Sequence, residues 1–91
     1  MESTGRLGRH QVVAFTATAG TSAAVSSVTR RVRVVLTSAG HVKIGANPTA
    51  TTSDPYLPAN WPEVFNIAPG EKVSAVQASA GGNLHVTELT N

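Results

Sequence analysis

Apolar and polar residues alternate with a period of two along much of the chain, and no stretch sustains a helical period. That pattern, rich in Val, Thr and Ser and punctuated by Gly and Pro, predicts short strands joined by turns. HQVVAFT, residues 10 to 16, reads as a first strand, followed by ATAGTSA as a small-residue loop. AAVSSV reads as either a short strand or an irregular edge. RRVRVVLT, residues 30 to 37, carries the clearest alternation: Val32, Val34 and Leu36 share one face, and Arg31, Arg33 and Val35 the other. After SAG, HVKIG (residues 41 to 45) runs back with Val42 and Ile44 opposed to Lys43, so a hairpin with the preceding strand is expected. EVFNIA (63 to 68), KVSAVQA (72 to 78) and NLHVTEL (83 to 89) complete the set. Between the first two, APGEK predicts a tight turn, because Pro69 presets φ and Gly70 permits a positive one. Phe15 and Phe65 alternate with apolar neighbours and read as core.

Six or seven strands at near-regular spacing suggest one β-sandwich or small barrel. Residues 17 to 29 and 46 to 61 remain as long irregular stretches, beyond the roughly 4–6 residues of a passive connector. The second is unusual. Residues 47 to 65 hold Pro48, Pro55, Pro58 and Pro62, four of the five prolines, and the single Tyr and Trp. Proline fixes φ and pushes its neighbours to extended backbone, so this excursion is stiff without a ladder of hydrogen bonds. A stiff loop bearing Tyr56, Leu57 and Trp61 resembles the anchor of a protein interface. The structural alternative is that Leu57 and Trp61 fold back to plug the end of the barrel. A third reading makes Tyr56 and Trp61 sugar platforms beside Asp54 and Asn60.

Composition changes this picture in two ways. The chain has 91 residues and 41% hydrophobic content, but most of that is Val and Ala, with two Phe, one Trp, one Tyr and one Met. Burial stabilises by area, at about 25 cal/mol per Å², so a core of small side chains in so short a domain is marginal. With no cysteine there is no disulfide or thiolate metal site to staple it, and association with other chains is the expected remedy. Second, the net charge is only +2 with 13% charged residues, a weakly basic protein. Arg30, Arg31 and Arg33 are its basic cluster. They suit an acidic partner surface, since Arg pairs carboxylates in bidentate fashion, or else they blunt a strand edge. Nucleic-acid binding would want aromatics for stacking, and these are 4% of the chain, so no nucleic acid is expected.

The carboxylates Glu2, Asp54, Glu63, Glu71 and Glu88 are scattered, and no nucleophile elbow, HExxH or phosphate-cradling loop is present. No pair among His10, His41 and His85 has a metal-ligand spacing. No enzymatic activity, cofactor or metal is therefore expected. No run of about 18 apolar residues offers a membrane span, and the polar MESTGRLGRH is read as an N-terminal arm, residues 1 to 10, rather than a secretory leader.

The stretch HVKIGANPTATTSDPYLPANWPEVFNIAPGEKVSAVQASAGGNLHVTEL, about half the chain, resembles small virion structural proteins of tailed bacteriophages. The resemblance lies in a G-x-N/S-P-T-A-T run at Gly45 to Thr51, L-P-A at Leu57 to Ala59, and an aromatic strand at Glu63 to Ile67. It continues with P-G-E/Q-K-V at Pro69 to Val73 and a closing G-x-L-x-V-T-E at Gly82 to Glu88. It implies a structural role, best fitted by capsid cement or decoration. On that basis the expected fold is all-β, a small antiparallel β-sandwich or jelly-roll-like barrel of six to eight short strands with long loops. The expected assembly is a homo-oligomer, a trimer, on the capsid exterior, made in the host bacterial cytoplasm. It would bind the major capsid protein where shell subunits meet. Expected partner contacts are Arg6, Arg9, Arg30, Arg31, Arg33, Tyr56, Leu57 and Trp61. Competing readings are a tail or fibre adhesion module for a surface glycan, and a head–tail connector component.

Overall fold

The structure, a computed structural model, describes residues 6–90. Its strands are β1 (Arg6–Phe15), β2 (Gly20–Thr21), β3 (Arg31–Leu36), β4 (Gly40–Gly45), β5 (Tyr56–Leu57), β6 (Glu63–Asn66), β7 (Lys72–Gln77) and β8 (Gly82–Thr90). A front sheet has the order β1-β8-β3-β6 and a back sheet the order β2-β7-β4-β5. All neighbouring strands are antiparallel. The pairs β1·β8, β2·β7, β3·β6 and β4·β5 are those of one long ribbon doubled back at residues 46–55. Rolling that ribbon sets β3 beside β8 and β4 beside β7. The result is the eight-stranded jelly roll, a two-sheet sandwich.

The expected strands are present and their faces are as read. Val32, Val34 and Leu36 of β3, Val42 of β4, Val73 and Ala75 of β7, and Leu84 and Val86 of β8 turn inward to one core, with Phe15, Val25, Leu57 and Ile67. Phe65 packs against it half-buried. The expected β3–β4 hairpin is not formed: β3 lies in the front sheet and β4 in the back. Both strands carry a full apolar face. In a hairpin those faces would lie side by side, whereas here they oppose one another across the core. Residues 37–39 carry the chain over, and Gly40 makes the crossing possible: a Cβ there would stand 2.5 Å from the carbonyl oxygen of Val76. The turn at 68–71 forms as expected. Gly70 has φ of 83°, and Glu71 N–H donates to Ala68 O at 3.1 Å.

Two short strands fall in stretches read as irregular. Gly20–Thr21 lies in the small-residue loop, and Tyr56–Leu57 in the proline segment. Residues 23–28 carry no strand. Of the expected polar arm, residues 6–10 instead belong to β1, which pairs with β8; residues 1–5 lie outside the described residues. Within β1 the register slips between Leu7 and His10, a β-bulge that sets Gly8 and Arg9 against Glu88. An extra residue reverses the facing of the residues before it relative to those after it. Leu7 and His10 therefore both point outward, while Arg9 turns toward Glu88.

Glu88 is the buried charge among the described residues, 3% exposed. Its Oε1 accepts from Thr29 Oγ1 at 2.5 Å and from Ser26 N–H at 3.2 Å, so it clasps the turn that leads into β3. Its Oε2 has no hydrogen-bond partner but lies 3.6 Å from Arg9 Nε, which supplies the countercharge.

Candidate functional site

The two outer faces of the sandwich differ. On the back sheet, residues 46–55 fold over the strands. Pro48 and Ala50 are buried there. Ala50 N–H donates to Ser74 Oγ at 3.0 Å, and Thr21 Oγ1 donates to the same oxygen at 3.2 Å and to Pro48 O at 3.4 Å. His41 Nδ1 donates to Asp54 O at 2.9 Å, and the His41 ring meets Tyr56 edge-on at 5.7 Å. The Asp54 carboxylate accepts from Thr51 N–H at 2.7 Å and closes the tip of the loop. This is what the first half of the proline segment does: it is a fixed cover, with Ser74 fully buried beneath it.

Among the described residues the front sheet has no such cover. Its registers place four side chains in one outward row across the strands: His10, Thr87, Arg33 and Val64. Flanking rows carry Val12, His85 and Val35 on one side and Leu7, Leu89, Arg31 and Asn66 on the other. Leu7 is 73% exposed, Val12 53% and Val64 51%. Among the described residues no carboxylate stands on this face. Glu88 points inward, and Glu63 sits on the inward side of β6, opposite Val34, and accepts from Trp61 Nε1 at 3.0 Å. The front face is thus apolar and cationic together.

The histidines meet there. His10 Nε2 lies 3.2 Å from His85 Nδ1, and His10 Nδ1 lies 2.7 Å from Thr87 Oγ1. Seventy-five positions separate the two rings in the chain. Only the β1·β8 pairing joins them, so no spacing signal could have found the cluster.

The expected contact residues do not form one surface. Arg31 and Arg33 lie on the open front face. Arg6 is exposed at the start of β1, and Arg30 is exposed just before β3. Arg9 is turned to Glu88 and to Ala24 O, where Nη2 donates at 3.4 Å. Tyr56 points outward from the back sheet, on the opposite side from Arg33. Leu57 is corrected: at 3% exposure it is part of the core. A two-residue strand must alternate, so exposing Tyr56 buries Leu57. Trp61 is 55% exposed on the crossing from β5 to β6 and does not plug the sandwich. There, Asn60 adopts a left-handed φ of 58° and its N–H donates to Leu36 O at 2.7 Å; Asn tolerates that conformation.

A groove of about 210 Å³ opens between β4 and β6, lined by Val42, Ile44 and Phe65 with Lys43, Asp54 and Pro55 at its rim. It is smaller than the roughly 300–1,000 Å³ of a small-molecule site. Among the described residues no group of three or more metal-ligating side chains gathers, and no helix is long and apolar enough to cross a membrane. No family model, curated protein or solved structure matches the chain.

Proposed function

We propose that this jelly roll is a non-enzymatic virion structural protein, a capsid cement or decoration protein that docks on the assembled head shell through its front sheet. The observation that carries the reading is the uncovered front face, with Arg33 and Arg31 among exposed Leu7, Val12 and Val64 and no described carboxylate. Such a face complements an acidic, partly apolar protein surface, where charge steers encounter and apolar burial holds the complex. The jelly-roll topology and the resemblance of residues 41–89 to small phage structural proteins support the same reading.

A protein that binds the assembled shell and not its free subunits stabilises the shell by mass action. Placement at a symmetric junction, as a trimer on the major capsid protein, suits a small core that gains from association. The test is co-sedimentation of purified protein with empty capsids, with copy number and capsid melting measured together. Hundreds of copies per particle and a raised capsid melting temperature are expected. About a dozen copies would instead indicate a connector ring.

A second reading has its own observation. Tyr56 and Trp61 are both more than half exposed, at 58% and 55%, and exposed aromatics suit a glycan-binding tail or fibre module. Binding to host-surface sugars without binding to capsids would select it.

A further inference from the structure

We infer that His10 and His85 form a two-imidazole site for a divalent transition-metal cation of the zinc type on the front face. The rings meet nitrogen to nitrogen: His10 Nε2 and His85 Nδ1 are 3.2 Å apart, with ring centroids at 5.3 Å and planes tilted by 33°. Zinc–imidazole bonds of about 2.0–2.1 Å in a tetrahedron set ligand nitrogens about 3.3–3.4 Å apart. The pair already stands within about 0.2 Å of that separation.

His10 is also oriented from behind. Its Nδ1 lies 2.7 Å from Thr87 Oγ1, directly across the β1·β8 ladder. With the proton on Nδ1, where the hydroxyl accepts it, Nε2 keeps its lone pair for a metal. Metal-binding histidines are held in this way, by a partner on the other ring nitrogen. On binding, the cation replaces the proton shared between the two rings, and His85 carries its proton on Nε2. Both ligands stand on paired strands in unbroken register from His10↔Thr87 to Val12↔His85, so little backbone freedom is lost.

The remaining coordination positions face solvent. The nearest fixed charge on the sheet is Arg33, across Thr87 on β3, with Arg31 one row further. The Arg33 charge opposes a bare dication and favours an anionic third ligand, such as a carboxylate. Imidazole ligands select zinc, copper and nickel over magnesium and calcium. Binding requires neutral rings, so protons compete with the cation for both nitrogens.

The isolated, tag-free chain is the material for the test, which keeps the outcome independent of the capsid reading. Zn²⁺ and Mg²⁺ are titrated by calorimetry, and Co²⁺ is followed by its visible spectrum. One Zn²⁺ per chain, no saturable Mg²⁺ binding and a cobalt spectrum with the intensity of a tetrahedral site are expected. His10→Ala and His85→Ala should each weaken Zn²⁺ at least about tenfold, and His41→Ala should not. Thr87→Val should weaken it by about tenfold or more without removing it, and Arg33→Ala should strengthen it by roughly two- to threefold. The variants lie on an outer face, and their circular dichroism and melting curves check folding. Absence of saturable Zn²⁺ binding below millimolar concentration overturns the inference, as does binding that survives loss of both rings.

Discussion

The front and back sheets each have four strands and present one face to the shared core, yet among the described residues only the back sheet is covered on its other side by its own chain. There a ten-residue loop, residues 46–55, buries Ser74, whose hydroxyl oxygen accepts from Ala50 N–H of the loop and from Thr21 Oγ1 of β2. On the front sheet the equivalent surface carries Leu7, Val12 and Val64 in the open, between arginines and histidines. The difference teaches where selection on such a small domain can act. A covered face contributes to folding, while an uncovered apolar and cationic face costs solubility and makes sense when something else covers it.

Substitutions can separate these roles. The largest effect belongs to neither outer face. Leu84→Ala, in the core beneath both sheets, should cost about 2–5 kcal/mol in denaturant unfolding. A loss under about 1 kcal/mol would mean that the core relaxes far more than its close packing suggests. Next comes the covered face. Ser74→Ala leaves the buried Ala50 N–H without its acceptor and should cost about 1–3 kcal/mol. It should also speed amide exchange and proteolysis within residues 46–55. If that loop stays protected, its hydrogen bond to Ser74 is not what holds it. The smallest effect on stability belongs to the open face. Arg33→Glu combined with Val64→Asp should shift stability by no more than about 0.5 kcal/mol for each change, but should abolish co-sedimentation with capsids. Retained binding would move the interface away from the front sheet.

Much of this molecule was legible in its alternation. The inward faces of β3, β4, β7 and β8 follow from period-two patterning alone, because a one-residue error would have put Val32 or Leu84 in water. Pro69-Gly70 announced its turn for an equally local reason. What was not legible is pairing. Val32–Leu36 and Val42–Ile44 look like the arms of a hairpin, and nothing local distinguishes a turn within a sheet from a crossing between sheets. Only the close approach at Gly40 separates them. Leu57 reads either as an interface anchor or as folded inward, and the inward reading holds; the choice was not legible because a run of prolines hides a two-residue strand. The His10–His85 cluster depends on the outermost pair of the ribbon, so it needed the whole topology. Glu88 read as one of several scattered acids, yet it became the buried clasp of the turn at Ser26–Thr29.

The ribbon pairing also has a kinetic side. Of the eight strands, only β4 and β5 are both consecutive and paired, so only that contact can form without closing a loop through other strands. Every other ladder joins segments that are farther apart, out to β1 and β8 at the two ends of the described chain. Loop-closure entropy must be met before such contacts return anything, and folding of this kind is slow. Zipping from the β4–β5 tip outward is the least costly route, with β8 inserted last between β1 and β3. A nascent chain emerging from the ribosome would hold β1 and β3 open until residues 82–90 were free. Both the Arg33 row and the histidine pair would then appear in a single step, when β8 closes the front sheet.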